Sequence, residues 1–244
     1  GDVRRNALSD FTNVRANGKI AMDLPENVEL VNARIATQDD DVMLVTKSGR
    51  AIRFSTNAVR VFKGRKSTGV RGVRLTGDDC VVSMSILRHF EASSDERAAY
   101  LKMRRAVAGM VDDEGAGTED EEVSANATIS PERYAEMSAA ENLILTISSR
   151  GSGKLSSSHD YPVRGRGGMG VAAMDKAMRG GDLVASFPVD LEDQIMLATS
   201  KGQSIRVPIE GISFRSRSAG GVKVFNTGNN EEVVSVARIV EQSE

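Results

Sequence analysis

Apolar positions along this chain alternate with polar ones or fall into short β-branched clusters. In VMLVT at 42–46, an extended backbone sends Val42, Leu44 and Thr46 to one side and Met43 and Val45 to the other. VVSMSIL at 81–87, LILTI at 143–147 and VVSVARIV at 233–240 have the same character. Gly, Asn, Asp and Ser punctuate them, at Ser48-Gly49, Gly77-Asp78-Asp79, Gly180-Gly181-Asp182 and Thr227-Gly228-Asn229-Asn230. Runs of this kind between turn signals predict strands. Trp is absent and aromatic residues are 4% of the chain, so Val, Ile, Leu and Met must fill the core.

The pattern recurs. An apolar run is followed by Gly and then a cation four residues on, in VMLVTKSGRAIRF (Gly49, Arg53) and IMLATSKGQSIRV (Gly202, Arg206). The chain opens on the tail of this pattern (Gly1, Arg5). LILTISSRGSGKL is a degenerate copy in which Gly151 is kept, Leu155 replaces the Arg and Lys154 lies one residue early. A second glycine follows each first one after 17 to 20 residues, at Gly18, Gly69, Gly170 and Gly221, with spacings of 51, 101 and 51. A period near fifty residues, holding about four strands, predicts an all-β array of propeller-like blades that must stack to cover their faces, with about four blades present. Gly49, Gly202 and most of the other anchors read as positive-φ turn positions.

The middle spacing is one period plus an insertion at 90–142, so the chain reads as one β body over 1–244 with an interruption. Ser93-x-x-Glu96 is a capping box ahead of a helix in DERAAYLKMRRAV. Ser130-Pro131 opens a second short helix, with Ser as N-cap. Between them DDEGAGTEDEEV at 112–123 is acidic and reads as disordered. Residues 91–142 carry 13 anions and 5 cations, a balance of −8, while the remaining 27 cations and 21 anions leave +6. The repeated body is basic and the insertion acidic, which bears on partners rather than fold.

Little here resembles an active site. His89 and His159 lie far apart with no ligand spacing, so no metal site is expected. Glu192 and Asp193 read as solvated turn carboxylates. GxSxG, HExxH and GxxxxGK[ST] are absent, and RGRGGMG at 164–170 lacks dinucleotide spacing. No catalytic residue, cofactor or small-molecule substrate is expected for this chain. Cys80, the sole cysteine, beside Val81 and Val82, reads as a buried thiol on a strand. A single cysteine, no basic-apolar leader and no run of 18 apolar residues lead to the expectation of a reducing cytosol and no membrane partner.

What remains is a cluster of cations just before each second glycine. They are Arg15 and Lys19; Arg60, Lys63, Arg65, Lys66, Arg71 and Arg74; Arg164 and Arg166; and Arg215, Arg217 and Lys223. Blade symmetry predicts all of them on one rim. Arg, Lys, Ser and Gly amides suit phosphates, and the aromatics that would stack single-stranded bases are scarce, so duplex DNA read through charge and bendability is the expected ligand. A propeller used as a protein-interaction scaffold, its cations serving only solubility, is the rival of another class. A repeat enzyme with a central site has no convergent polar constellation in its favour.

DVMLVTKSGRAIRF at 41–54, STGVRGVRL at 67–75, DDCVVSM at 78–84, DQIMLATSKGQSIRV at 193–207 and GGVKVFNTGNNEEVVSVARI at 220–239 together resemble the C-terminal DNA-wrapping domain of DNA gyrase A, part of a type IIA topoisomerase. The resemblance implies a β-pinwheel, usually of six blades, of which this chain matches the last four. It implies wrapping of duplex DNA around a basic edge in support of ATP-dependent negative supercoiling. Mg, ATP and the catalytic tyrosine are then held elsewhere, in the remainder of gyrase A and in its partner gyrase B. It also implies a cytoplasmic location on the chromosome. The family's gyrase box has no full counterpart here, RGRGGMG being a degenerate relative. The related domain of topoisomerase IV therefore stays an alternative.

Overall fold

The computed structural model describes residues 1–107 and 127–240, so the acidic stretch predicted as disordered lies outside the described residues. In chain order the strands and helices are β1 (Asp2–Val3), β2 (Asp40–Thr46), β3 (Arg50–Ser55), β4 (Val70–Arg71), β5 (Val81–Arg88), α1 (Ser94–Val107), α2 (Pro131–Ala140), β6 (Leu143–Ser148), β7 (Ser152–Ser157), β8 (Val171–Ala172), β9 (Leu183–Val189), β10 (Gln194–Thr199), β11 (Ser204–Pro208), β12 (Val222–Lys223) and β13 (Val233–Ile239). They form four antiparallel sheets, ordered β1-β4, β5-β2-β3-β8, β12-β7-β6-β9 and β11-β10-β13.

Three hairpins, β2–β3, β6–β7 and β10–β11, share one turn chemistry. Each reads hydroxyl residue, two polar residues, Gly: Thr46 to Gly49, Ser148 to Gly151, Thr199 to Gly202. The glycine N–H donates to the carbonyl of the first residue at 3.0 Å in all three. The first residue's hydroxyl accepts from the N–H just after the glycine at 3.2 Å, again in all three. The glycines sit at φ of 89°, 76° and 79°, where a side chain would be strained. A two-period apolar pattern around such a turn can only fold back on itself.

The repeat and the sheet are not the same unit. Each of the last three repeats supplies three long strands to its own sheet and gives a short fourth strand to the sheet before it, β4 pairing with β1, β8 with β3 and β12 with β7; the first repeat contributes only the two-residue β1. The second glycines make this exchange possible. A Cβ on Gly69 would lie 2.5 Å from the Val3 carbonyl oxygen, one on Gly170 2.3 Å from that of Ala51, and one on Gly221 2.8 Å from the Gly153 backbone. These positions need glycine because two backbones touch, a reason additional to the turn conformation predicted for them.

Strand alternation divides the core into three layers between successive sheets. Val42 and Leu44 pack with Ile52, Phe54 and Val73 on one side of β2, while Met43 and Val45 pack with Ile144, Tyr161 and Met174 on the other. Leu145 and Ile147 of β6 join Ile195, Leu197 and Val233 in the third layer. β9 packs beside β5 and beside β13. These three strands hold one edge of their sheets, so the exchanged strands lie at the opposite, outer edge.

The insertion carries α1 and α2. Ser93 and Glu96 cap α1 reciprocally, Glu96 Oε2 accepting from the Ser93 N–H and Ser93 Oγ from the Glu96 N–H. Ser130 Oγ accepts from the Arg133 N–H ahead of α2. Buried Tyr100 lies against Tyr134 and against the edge of His159, whose Nε2 donates to the Met137 carbonyl at 2.8 Å. His89 instead sits between Asp41 and Glu91, with Nδ1 3.0 Å from Asp41 Oδ1 and Nε2 3.1 Å from Glu91 Oε2. Cys80 is exposed, contrary to expectation, because β5 begins one residue after it; its backbone alone is engaged, the N–H donating to Asp79 Oδ1 and the carbonyl accepting from the Lys47 N–H.

Two predictions arise from this packing. Gly170→Ala should destabilise the protein by about 2–4 kcal/mol in urea unfolding, because steric overlap adds to left-handed strain. Gly202→Ala should cost only about 1–2 kcal/mol, since nothing lies within 4 Å of the added methyl. The histidines should titrate on opposite sides of 6.5 by NMR. Burial opposes protonation of His89, but Glu91 and Asp41 outweigh it and raise its pKa, while burial chiefly lowers that of His159. The stability contributed by His89 is therefore complete below pH 6.5 and lost as pH rises through its raised pKa; that of His159 is complete above 6.5 and lost as pH falls.

Candidate nucleic-acid interface

Three of the segments that carry the predicted cations, at 60–74, 164–166 and 215–223, run into the exchanged strands and so follow the outer edge of the array, whereas the segment of Arg15 and Lys19 runs into no strand. A bridge enters each crossing: Val61 beside Arg5, Val163 beside Arg53 and Phe214 beside Leu155, all parallel. Adjacent segments are then zipped together. The Gly167 N–H donates to the Gly72 carbonyl at 2.6 Å, and the Arg74 N–H to that of Gly168 at 2.8 Å. One repeat along, the Asp175 N–H donates to the Ala219 carbonyl at 3.3 Å. The cation runs at 60–74 and 164–168 thereby lie side by side, followed by the run at 215–223.

Their side chains have separate fates. Arg15, Lys63, Lys66, Arg71 and Arg74 are exposed, and among the described residues they make no side-chain hydrogen bond or ion pair. Arg60 is exposed and lies over the Phe62 ring, 4.0 Å from its centroid, with Arg4 4.5 Å from the same ring. Arg164 is exposed and Arg215 half-buried at the crossing onto β7. Lys19 is half-buried, donating to the Asp10 carbonyl at 2.8 Å, and exposed Lys223 donates to that of Arg150 at 3.1 Å.

Three of the predicted cations do something else. Arg65 Nη1 donates to the Ile20 carbonyl at 2.8 Å, Arg166 Nη1 to that of Arg71 at 2.9 Å, and Arg217 Nη1 to that of Ala172. Arg166 Nε also reaches the Ala58 carbonyl and Arg217 Nε that of Asp160, both at 2.9 Å. Arg217 is 6% exposed and so is corrected from rim cation to a buried link between repeats. The shared signal was present in the sequence: each of these arginines stands four residues before a second glycine, while Lys63, Arg164 and Arg215 keep a spacing of six and form a second cation series.

Sequence reasoning also passed over two buried cations that support the edge. Lys154, in β7, is fully buried; its Nζ donates to the carbonyls of Ser216, Arg217 and Ala219, and so holds the loop that bears Arg215. An ammonium surrounded by carbonyl dipoles keeps its solvation by substitution, the condition for burying it at all. Its only hint was the shift of one residue from the usual cation place. Arg53 donates Nε to Asp41 Oδ2 at 2.8 Å and Nη1 to the Ser158 carbonyl at 2.8 Å, joining the second sheet to the third. Burial lowers its pKa, and Asp41 opposes that.

Among the described residues no group of three or more His, Cys, Asp and Glu is placed to hold a metal, and no helix is long and apolar enough to cross a membrane. The arrangement presents the unpaired Lys63, Lys66, Arg71 and Arg74 in and beside β4, with exposed Arg164 and Lys223 on the neighbouring segments of the outer edge. Such an edge can neutralise regularly spaced anions without reading the groups attached to them.

Comparison with known proteins matches the four repeats one by one. The model of the DNA gyrase C-terminal domain, a beta-propeller, matches residues 3–37, 40–88, 142–187 and 193–239, leaving the insertion outside. The DNA gyrase A chain of Granulibacter bethesdensis is 46% identical over 252 residues, covering 99% of this chain and 27% of that protein. Its counterpart in Rickettsia bellii is 38% identical, covering 100% and 27%. The chain thus spans about a quarter of the length of these curated relatives. Two solved structures share the fold: a DNA gyrase A C-terminal domain (TM-score 0.66, 20% identity, 98% of this chain and 63% of that one) and the C-terminal domain of a DNA topoisomerase IV (0.70, 18%, 98% and 59%).

Proposed function

This chain belongs to the DNA gyrase C-terminal domain family, and from that membership we propose that its outer edge binds duplex DNA and bends it around the array. The observation that carries the proposal is the group of exposed, unpartnered cations Lys63, Lys66, Arg71 and Arg74 in and beside the exchanged strand β4, with Arg15 likewise exposed and unpartnered among the described residues. These side chains have no internal task that would explain their charge. Glycine between them lets backbone N–H groups approach phosphate oxygens closely. No Phe or Tyr among the described residues is exposed as a stacking platform, which disfavours single strands.

Bending 20–30 bp through 40–90° costs on the order of 1–6 kcal/mol, more than one exposed ion pair supplies. Several runs must therefore act on the same duplex, which is what a shared edge provides. On this reading the domain is the non-catalytic, wrapping part of a gyrase A protein. Cleavage, ATP and Mg²⁺ belong to the remainder of gyrase A and to gyrase B, and the setting is the cytoplasmic chromosome. The curated relatives named above are gyrase A proteins, which favours gyrase over topoisomerase IV.

Affinity for random-sequence duplex should fall about 10³–10⁵-fold between about 50 and 200 mM salt if about 6–10 phosphates are neutralised. Lys63→Gln with Lys66→Gln should lessen the slope of log affinity against log salt by about 2, equally for different sequences. Nicked circles religated on the protein should show a shifted linking number. Salt-insensitive binding, or an unshifted topoisomer distribution, would reject wrapping.

A further inference from the structure

We infer that Arg65, Arg166 and Arg217 are positioning residues: clasps that set the pitch from one blade to the next, and hence the curvature of the edge, rather than ligands of phosphate. The inference deepens the wrapping proposal and rests on it for its DNA readouts. Each clasp ends on an equivalent atom. The carbonyls accepting from Nη1 belong to Ile20, Arg71 and Ala172, each two residues after the second glycine of the preceding repeat. Arg71 and Ala172 close β4 and β8, the strands that their own repeat has already given to the sheet before. An arginine of one repeat therefore holds a strand of the second repeat against a sheet of the third. Three consecutive blades meet at one guanidinium.

The chemistry suits the task. A guanidinium is planar, is always charged and carries five donors in a fixed fork, so it can take two carbonyls from different segments and fix the angle between them. Arg166 does this with Ala58 and Arg71, and Arg217 with Asp160 and Ala172. Arg217 also receives an ionic contact from Asp160, Nε lying 3.7 Å from Oδ1, and its own N–H donates to Asp160 Oδ2 at 2.6 Å. The short exchanged strands have few hydrogen bonds of their own. Two-residue pairing is weak, and a clasp on the last carbonyl is the means by which it persists.

The cations of the edge accordingly divide into two classes that respond to different measurements. Exposed lysines and arginines set affinity and its salt dependence; clasps set shape. Arg166→Gln is the main test, because the residue is exposed and glutamine removes the charge while its amide can satisfy only part of the fork. Lys63→Gln is the contrasting variant and Arg166→Lys keeps the charge without the fork. We expect Arg166→Gln and Arg166→Lys alike to speed amide exchange in β4 and the Gly72–Arg74 segment by about tenfold, equivalent to about 1.4 kcal/mol of local stability. Both should leave the salt slope for a short duplex unchanged, and both should reduce the linking-number shift per protein on long DNA.

Lys63→Gln should show the opposite pattern, with a slope lessened by about 0.9 and exchange unaltered. A slope lessened by that amount in Arg166→Gln but not in Arg166→Lys would identify a phosphate ligand and overturn the clasp, as would unaltered exchange in β4. Exchange is measured without DNA. A parent protein that fails to bind duplex therefore rejects the wrapping proposal alone, and the β4 amides still decide whether the arginine is a clasp.

Discussion

The close crossing of two backbones at the second glycines governs the whole assembly. Strands β4, β8 and β12 can leave their own repeat and pair with the sheet before only because Gly69, Gly170 and Gly221 bring no side chain to the contact. Each sheet is thereby completed by a neighbour, and each layer of core is closed at its outer margin by chain from the next repeat. Stability in such an array is a property of adjacent pairs, as in other repeat architectures, with an added covalent thread through every interface.

Charge on the outer edge is sorted by this geometry. Where the crossing buries a cation it is matched by carbonyl oxygens or a carboxylate, as for Lys154 with its three carbonyls and Arg53 with Asp41. Where the edge turns outward, Lys63, Lys66, Arg71 and Arg74 make no side-chain hydrogen bond or ion pair among the described residues. Proximity in sequence hides this sorting, because Gly64-Arg65-Lys66 contains both kinds in adjacent positions. A body with a surplus of positive charge is therefore less basic at its surface than its composition suggests.

The fold was largely legible in the sequence because its two determinants are local. Alternation over Val42–Thr46 assigned the two faces of β2 correctly, and the first glycines of the repeat, read as positive-φ turn positions, marked the hairpins. Strand exchange was not legible, since pairing β8 with β3 joins residues more than a hundred positions apart and nothing in either strand names its partner. The candidate edge was legible as a set of segments and not as a set of side chains. Arg217 looks like any exposed arginine until Asp160 and Ala172 are brought to it. Cys80 failed for a simpler reason: apolar neighbours on its C-terminal side said nothing of the turn that precedes it.

The offset between repeat and sheet also limits how such a chain can lengthen. Material inserted inside a repeat, between its hairpin and its donated strand, would fall in the connection that crosses from one sheet to another. The joint between β5 and β6 is different, because there one repeat has finished all its pairing and the next has not begun. Helices α1 and α2 occupy that joint, resting on His159 without parting any ladder. The seam between one repeat and the next is thus a place where added chain disturbs no pairing.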